Sequence, residues 1–87
     1  MNTCKKEILS KICYTDLVYG RINKKLNLKL SNMEIEKTLL EIIQNTEEIN
    51  FEKRGKNIYI SNESEDIRIT INLFTNRVIT VDRIKQK

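Results

Sequence analysis

The chain has 87 residues, 39% of them apolar, 32% charged and none proline, which suits one globular domain with a single modest core. Its net charge is +4 and it contains no histidine, so the commonest general base and half of the usual zinc ligands are excluded at once. No apolar run approaches the ~18 residues of a membrane span and no signal-peptide core opens the chain.

A cytoplasmic protein with no membrane partner is therefore expected. Its two cysteines, Cys4 and Cys13, form no disulfide framework and are expected to be reduced. The only glycines, Gly20 and Gly55, build no phosphate-cradling loop, so neither cofactor nor metal is implied. Charge is unevenly spread. Residues 1–30 carry seven basic and two acidic side chains (+5), residues 31–50 one basic and five acidic (−4), and residues 51–87 eight basic and five acidic (+3).

The first segment, TCKKEILSKICY, sets Ile8, Leu9, Ile12 and Cys13 on one helical stripe opposite lysines. Thr15 and Asp16 then read as a restart, the threonine as cap and the carboxylate at the helix's positive end. The helix over 16–27 buries Val18, Ile22 and Leu26 and exposes Arg21, Lys24 and Lys25, while Gly20 in its middle costs about 1 kcal/mol relative to alanine unless something packs close to it. Ser31-Asn32-Met33-Glu34 is a capping box, with Leu30 and Ile35 at the staple positions. Ile35, Leu39, Ile42 and Ile43 continue the stripe of that third helix.

After Asn45 the apolar period changes from about 3.6 to 2, the mark of strands. Four are expected, over 49–53, 56–61, 66–72 and 77–84, separated by turns at Arg54-Gly55, Asn62 to Glu65 and Phe74 to Asn76. Asn76 falls where a three-residue hairpin wants a left-handed residue. The fold class is then α+β. A layer of two to three N-terminal helices (1–47) packs on one face of a four-stranded antiparallel β-meander (48–85), and the whole of 1–87 is one domain.

Matching core positions across strands gives a register: Ile69 opposite Val81, Ile71 opposite Ile79, Ile58 opposite Ile69, Ile60 opposite Ile67, and Phe51 opposite Ile58. On the other face this register aligns Tyr59, Arg68 and Asp82 in one row, with Glu52, Asn57, Thr70 and Thr80 in the next. An arginine held between a tyrosine and a carboxylate can recognise phosphate, carboxylate or a base. Without a ligand, the same residues are ordinary cross-strand pairs contributing about 0.2–1 kcal/mol each.

A weaker candidate is a basic patch of Arg21, Lys24, Lys25, Lys53, Arg54 and Lys56. Without interleaved aromatic residues it lacks stacking platforms for single strands. No catalytic residue is assigned. A histidine-free RNA-cleaving toxin would have to use Tyr59, Arg68, Lys53, Arg54, Lys56 and Arg77 on an open sheet. The stretch INKKLNLKLSNMEIEKTLLEIIQ is similar in rhythm to the opening of small histone-like DNA-binding proteins, but the proline-tipped arm of those proteins has no counterpart.

Two stretches, ICYTDLVYGRINKKLNLKLS and GKNIYISNESEDIRITINLFTNRVITVDRI, together resemble a family of small proteins of unknown function from low-GC Gram-positive bacteria. The resemblance implies a bacterial, cytosolic, single-domain protein and brings no activity, cofactor or site residue. The function expected is non-enzymatic binding or regulation, such as that of an inhibitor carried on a mobile element, exerted through the open sheet face or a sheet edge. A protein partner comes first, nucleic acid second, and an edge-to-edge homodimer is a further option. The alternatives are the RNA-cleaving toxin and a basic nucleic-acid-binding protein.

Overall fold

A computed structural model describes residues 5–85; Cys4 and the first residue of the TCKKEILSKICY segment, Thr3, lie outside the described residues. Three helices come first: α1 (Lys5–Lys11), α2 (Asp16–Leu26) and α3 (Asn32–Asn45). A single 3₁₀ turn over Glu48–Asn50 leads into β1 (Phe51–Arg54), β2 (Asn57–Asn62), β3 (Ile67–Asn72) and β4 (Val78–Arg83). The strands lie in the order β1-β2-β3-β4, each antiparallel to its neighbour, which is the α+β meander the pattern predicts. No helix among the described residues is long and apolar enough to cross a membrane.

The helix starts differ in how they are held. At α3 the capping box forms in full: Ser31 Oγ accepts from the Glu34 N–H at 3.2 Å, and Glu34 Oε1 accepts from the Ser31 N–H at 2.8 Å. At α2 Thr15 occupies the cap position, but its side chain makes no capping hydrogen bond. Only its carbonyl takes part, accepting the Val18 N–H at 3.2 Å. The expected stripe of α1 also stops early. Cys13 lies beyond the helix, where its N–H donates to Asn76 O at 2.8 Å and its carbonyl accepts the Val78 N–H at 3.0 Å, a parallel bridge onto the start of β4.

The core lies between the helices and one face of the sheet. Ile8 from α1, Val18, Ile22 and Leu26 from α2, and Ile35, Leu39, Ile42 and Ile43 from α3 meet Ile58, Ile60, Ile67, Ile69, Ile71, Val78 and Val81. Each such aliphatic side chain contributes about 1.5–3 kcal/mol by leaving water. One polar pair is buried with them. Thr46 Oγ1 donates to Ile42 O at 2.6 Å and accepts from Asn62 Nδ2 at 3.0 Å, so the end of α3 is tied to the end of β2.

Strand pairing departs from expectation by two residues in two of three hairpins. Phe51 faces Ile60, not Ile58; Ile58 faces Ile71, and Ile60 faces Ile69. A shift of two keeps every apolar side chain on the core face, so patterning cannot choose between the registers and the turns decide. The β1–β2 turn is Gly55-Lys56, with Gly55 at φ +60° in the first central position, where a type II′ hairpin needs it. The β2–β3 turn closes directly beyond the Asn62–Ile67 pair, with Asn62 Oδ1 accepting the Glu65 N–H at 2.9 Å and Asp66 at φ +59°.

The last hairpin has the expected Ile69–Val81 pair, and Asn76 is left-handed as anticipated (φ +60°). Ile71, however, faces Val78 and not Ile79, because a bulge intervenes between Thr70 and Ile71. Ile79 is the extra residue on β4 and is partly exposed. A bulge of this kind re-aims one side chain while the rest of the strand stays in register.

Candidate functional site

The outer sheet face is built in three rows. Ser61, Arg68 and Asp82 form the first; Glu52, Tyr59, Thr70 and Thr80 the second; Arg54, Asn57 and Asn72 the third. Successive rows are about 7 Å apart along the strands. The expected Arg68–Asp82 and Thr70–Thr80 pairs therefore exist, but Tyr59 sits one row away from Arg68, opposite Thr70, as the two-residue shift requires.

Arg68 is exposed, and its Nε donates to Ser61 Oγ at 3.2 Å. Asp82 is drawn away from it by Lys25 of α2, whose Nζ lies 2.8 Å from Asp82 Oδ1. Tyr59 instead carries the Arg54 guanidinium 5.7 Å from its ring centroid. Arg54 is bound to Glu52 at 3.0 Å, and that hydrogen bond first, then the carboxylate's charge, strengthens its hold on its proton. Thr70 is buried between Tyr59 and Thr80, while the buried oxygens Asn57 Oδ1 and Thr80 Oγ1 have no hydrogen-bond partner among the described residues.

The basic patch is two separate groups. Arg21, Lys24 and Lys25 lie on α2 beside β4, whereas Lys53, Arg54 and Lys56 lie at the β1–β2 hairpin, on the far edge of the sheet. Three strand spacings, roughly 14 Å, separate those edges. Lys25 and Arg54 are moreover already paired with carboxylates. Arg77 lies just before β4, where its carbonyl accepts the Asn72 N–H at 2.9 Å. It lines a cleft with Arg21 at the seam between α2 and β4.

That seam escapes the sequence pattern. Leu17 falls on no core stripe, and Ile79 reads as a core residue until the bulge turns it out. At the start of α2, Tyr14 and Tyr19 stack their rings at 5.4 Å and 15°. The Tyr19 hydroxyl donates to Glu36 Oε2 on α3, and this bond first, then burial, pushes its phenol up to about 12. Burial first, and the Glu36 charge second, raises the Tyr14 phenol further still. Both tyrosines serve the joint between α2 and α3.

A profile described as a protein of unknown function (DUF3781) matches residues 6–82, which takes in the first quoted stretch entirely and all but the last two residues of the second. The chain belongs to this family. No curated protein and no solved structure matches it. Family membership accordingly carries no activity to this chain, and function has to be argued from the surface.

Proposed function

We propose that this DUF3781 protein is a cytoplasmic, non-enzymatic binding protein, acting as an inhibitor, adaptor or regulator through the outer face of its sheet. The observation that carries the reading is the packing of the helices against the other face of the sheet, which leaves Arg68 exposed with one hydrogen bond, to Ser61, and its cross-strand carboxylate, Asp82, engaged by Lys25. A guanidinium so placed can take a partner's carboxylate in two parallel hydrogen bonds. Strand addition at 77–84 is not part of the proposal, because Cys13 and α2 occupy that edge. Pairing through β1, including a homodimer, remains open to the four residues Phe51–Arg54.

The RNA-cleaving and nucleic-acid-binding alternatives draw less support, since Arg54, Arg68 and Arg77 lie in different rows or on different edges. The test is affinity purification of wild-type and Arg68→Ala proteins from bacterial lysate, with and without nuclease. A protein partner that survives nuclease and is lost on Arg68→Ala is the expected result. Recovery of nuclease-sensitive RNA or ribosomes instead would replace this reading with a nucleic-acid one.

A further inference from the structure

We infer that the cleft between α2 and β4 is a second docking site, one that takes an acidic segment of a partner protein with an aliphatic anchor. The cleft has a volume of about 240 Å³, and Val18 and Val78, both buried, form its floor. Leu17, 82% exposed, and Ile79, 37% exposed, stand at its rim. Arg21 and Arg77 complete the lining with Thr15, and no carboxylate lines it.

Two independent features make this more than a gap between elements. The first is the β-bulge, which takes Ile79 out of the core face and turns it toward the cleft at the expense of a regular ladder. The second is electrostatic. Neither guanidinium is in an ion pair among the described residues, and Arg21 Nη1 reaches only the Ile79 carbonyl, at 3.4 Å. Among the described residues only Lys11, Lys25 and Arg54 have a carboxylate partner, so what sets the cleft apart is that two free guanidiniums share one apolar lining.

Two unneutralised guanidiniums around an aliphatic floor complement a segment in which Asp or Glu side chains flank Leu, Ile or Val. Arginine suits a carboxylate because its fork of donors matches the two oxygens. Nucleic acid fits less well, because no aromatic side chain lines the cleft to stack a base. A second copy of the chain offers the right chemistry at Glu47-Glu48-Ile49, where Ile49 is 84% exposed. That turn precedes β1, however, at the opposite edge of the sheet from the cleft. Copies joined this way would associate head to tail, a contact that closes only as a ring or runs on as a filament.

The experiment is selection of a random linear peptide library against the intact protein, with the Arg21→Glu/Arg77→Glu double variant as counter-target. Enriched peptides are expected to set Asp or Glu beside an aliphatic residue, to shift the methyl resonances of Leu17 and Ile79, and to lose at least about tenfold in affinity on the double variant. Arg68→Ala should leave this binding intact, which separates the cleft from the sheet-face proposal. Both arginines are exposed, so the double variant should keep the wild-type melting curve; if it does not, Leu17→Ser supplies the same comparison. No enrichment, peptides without acidic residues, equal binding to the variants, competition by an RNA oligonucleotide, or self-association that uses the cleft would each overturn the inference.

Discussion

The two edges of the sheet face the same problem and solve it differently. Along β4 the backbone is closed by structure: Cys13 bridges onto Arg77 and Val78, α2 lies against the strand, Lys25 Nζ of α2 donates to Asp82 Oδ1, and Arg83 Nη2 of β4 donates to Leu26 O. Along β1 no strand among the described residues pairs with the outer edge, and β1 is only four residues long and presents Glu52, Lys53 and Arg54 to water. Short length and charge are the usual guards of a bare edge. The difference teaches where stability and where interaction reside. Packing protects the β4 side and ties it to the core, whereas the β1 side is protected by charge alone and can change with little consequence.

Alkaline pH should loosen the joint between α2 and α3 first, and the effect there should be the largest. Tyr14 and Tyr19 both have folded-state phenols above the ordinary value of 10.0, Tyr19 at about 12. Between those values the unfolded chain has released protons that the folded chain still holds, so stability falls as pH rises. The Tyr19 contribution is fully present below pH 10 and is lost as pH climbs through about 12, while the Tyr14 contribution persists to higher pH. Urea unfolding at a series of pH values should show that decline, and Tyr19→Phe should make it shallower. A decline unchanged by Tyr19→Phe would remove the Tyr19–Glu36 bond from the joint.

Core truncation compares the edges directly. Ile22 of α2 is 1% exposed in the core, and Ile22→Ala should cost about 2–5 kcal/mol in chemical denaturation. Lys53→Ala on β1 should stay within about 0.5 kcal/mol. Similar costs at the two positions would mean that the β1 edge is covered in solution, by a partner or by a second copy.

The third expectation concerns the polar tie behind β2. Asn62→Ala removes the donor to Thr46 and the acceptor for the Glu65 N–H, and should cost about 1–3 kcal/mol. Thr46→Val tested alongside in a double-mutant cycle should show coupling with Asn62, because the two share one buried hydrogen bond.

What was legible in the chain follows from which signals are local. The Ser31–Glu34 box, the stripes of α2 and α3, the change of period after Asn45 and the left-handed Asn76 are each decided within a few residues, and each appears where the pattern puts it. Register is different, because a two-residue slip leaves the apolar pattern satisfied and only turn geometry separates the choices. That slip moved Tyr59 off the Arg68 row. The Thr15 cap failed because a suitable residue type does not guarantee the hydrogen bond. The bulge at Ile79 interrupts the alternation inside a hairpin, and the closing of β4 by Cys13 depends on residues more than sixty positions apart meeting in space, a meeting no local signal encodes.

Gly20 gives the smallest effect and the sharpest view of α2, the wall of the β4 side. The residue is exposed, its φ is not in the left-handed region, and a Cβ built there meets nothing within 4 Å. The glycine's helical cost is therefore not offset by a close approach. Gly20→Ala should raise stability by about 1 kcal/mol, through helix propensity and a less flexible unfolded chain. A shift of the denaturation midpoint at constant slope would register it as a change in stability alone. Because α2 holds the β4 edge, the gain should also slow amide exchange at Val78 and its neighbours, where the Cys13 bridge sits, and leave the β1 amides unchanged. Equal protection at both edges would mean that the sheet opens as one unit and that the α2 wall does not act locally on β4.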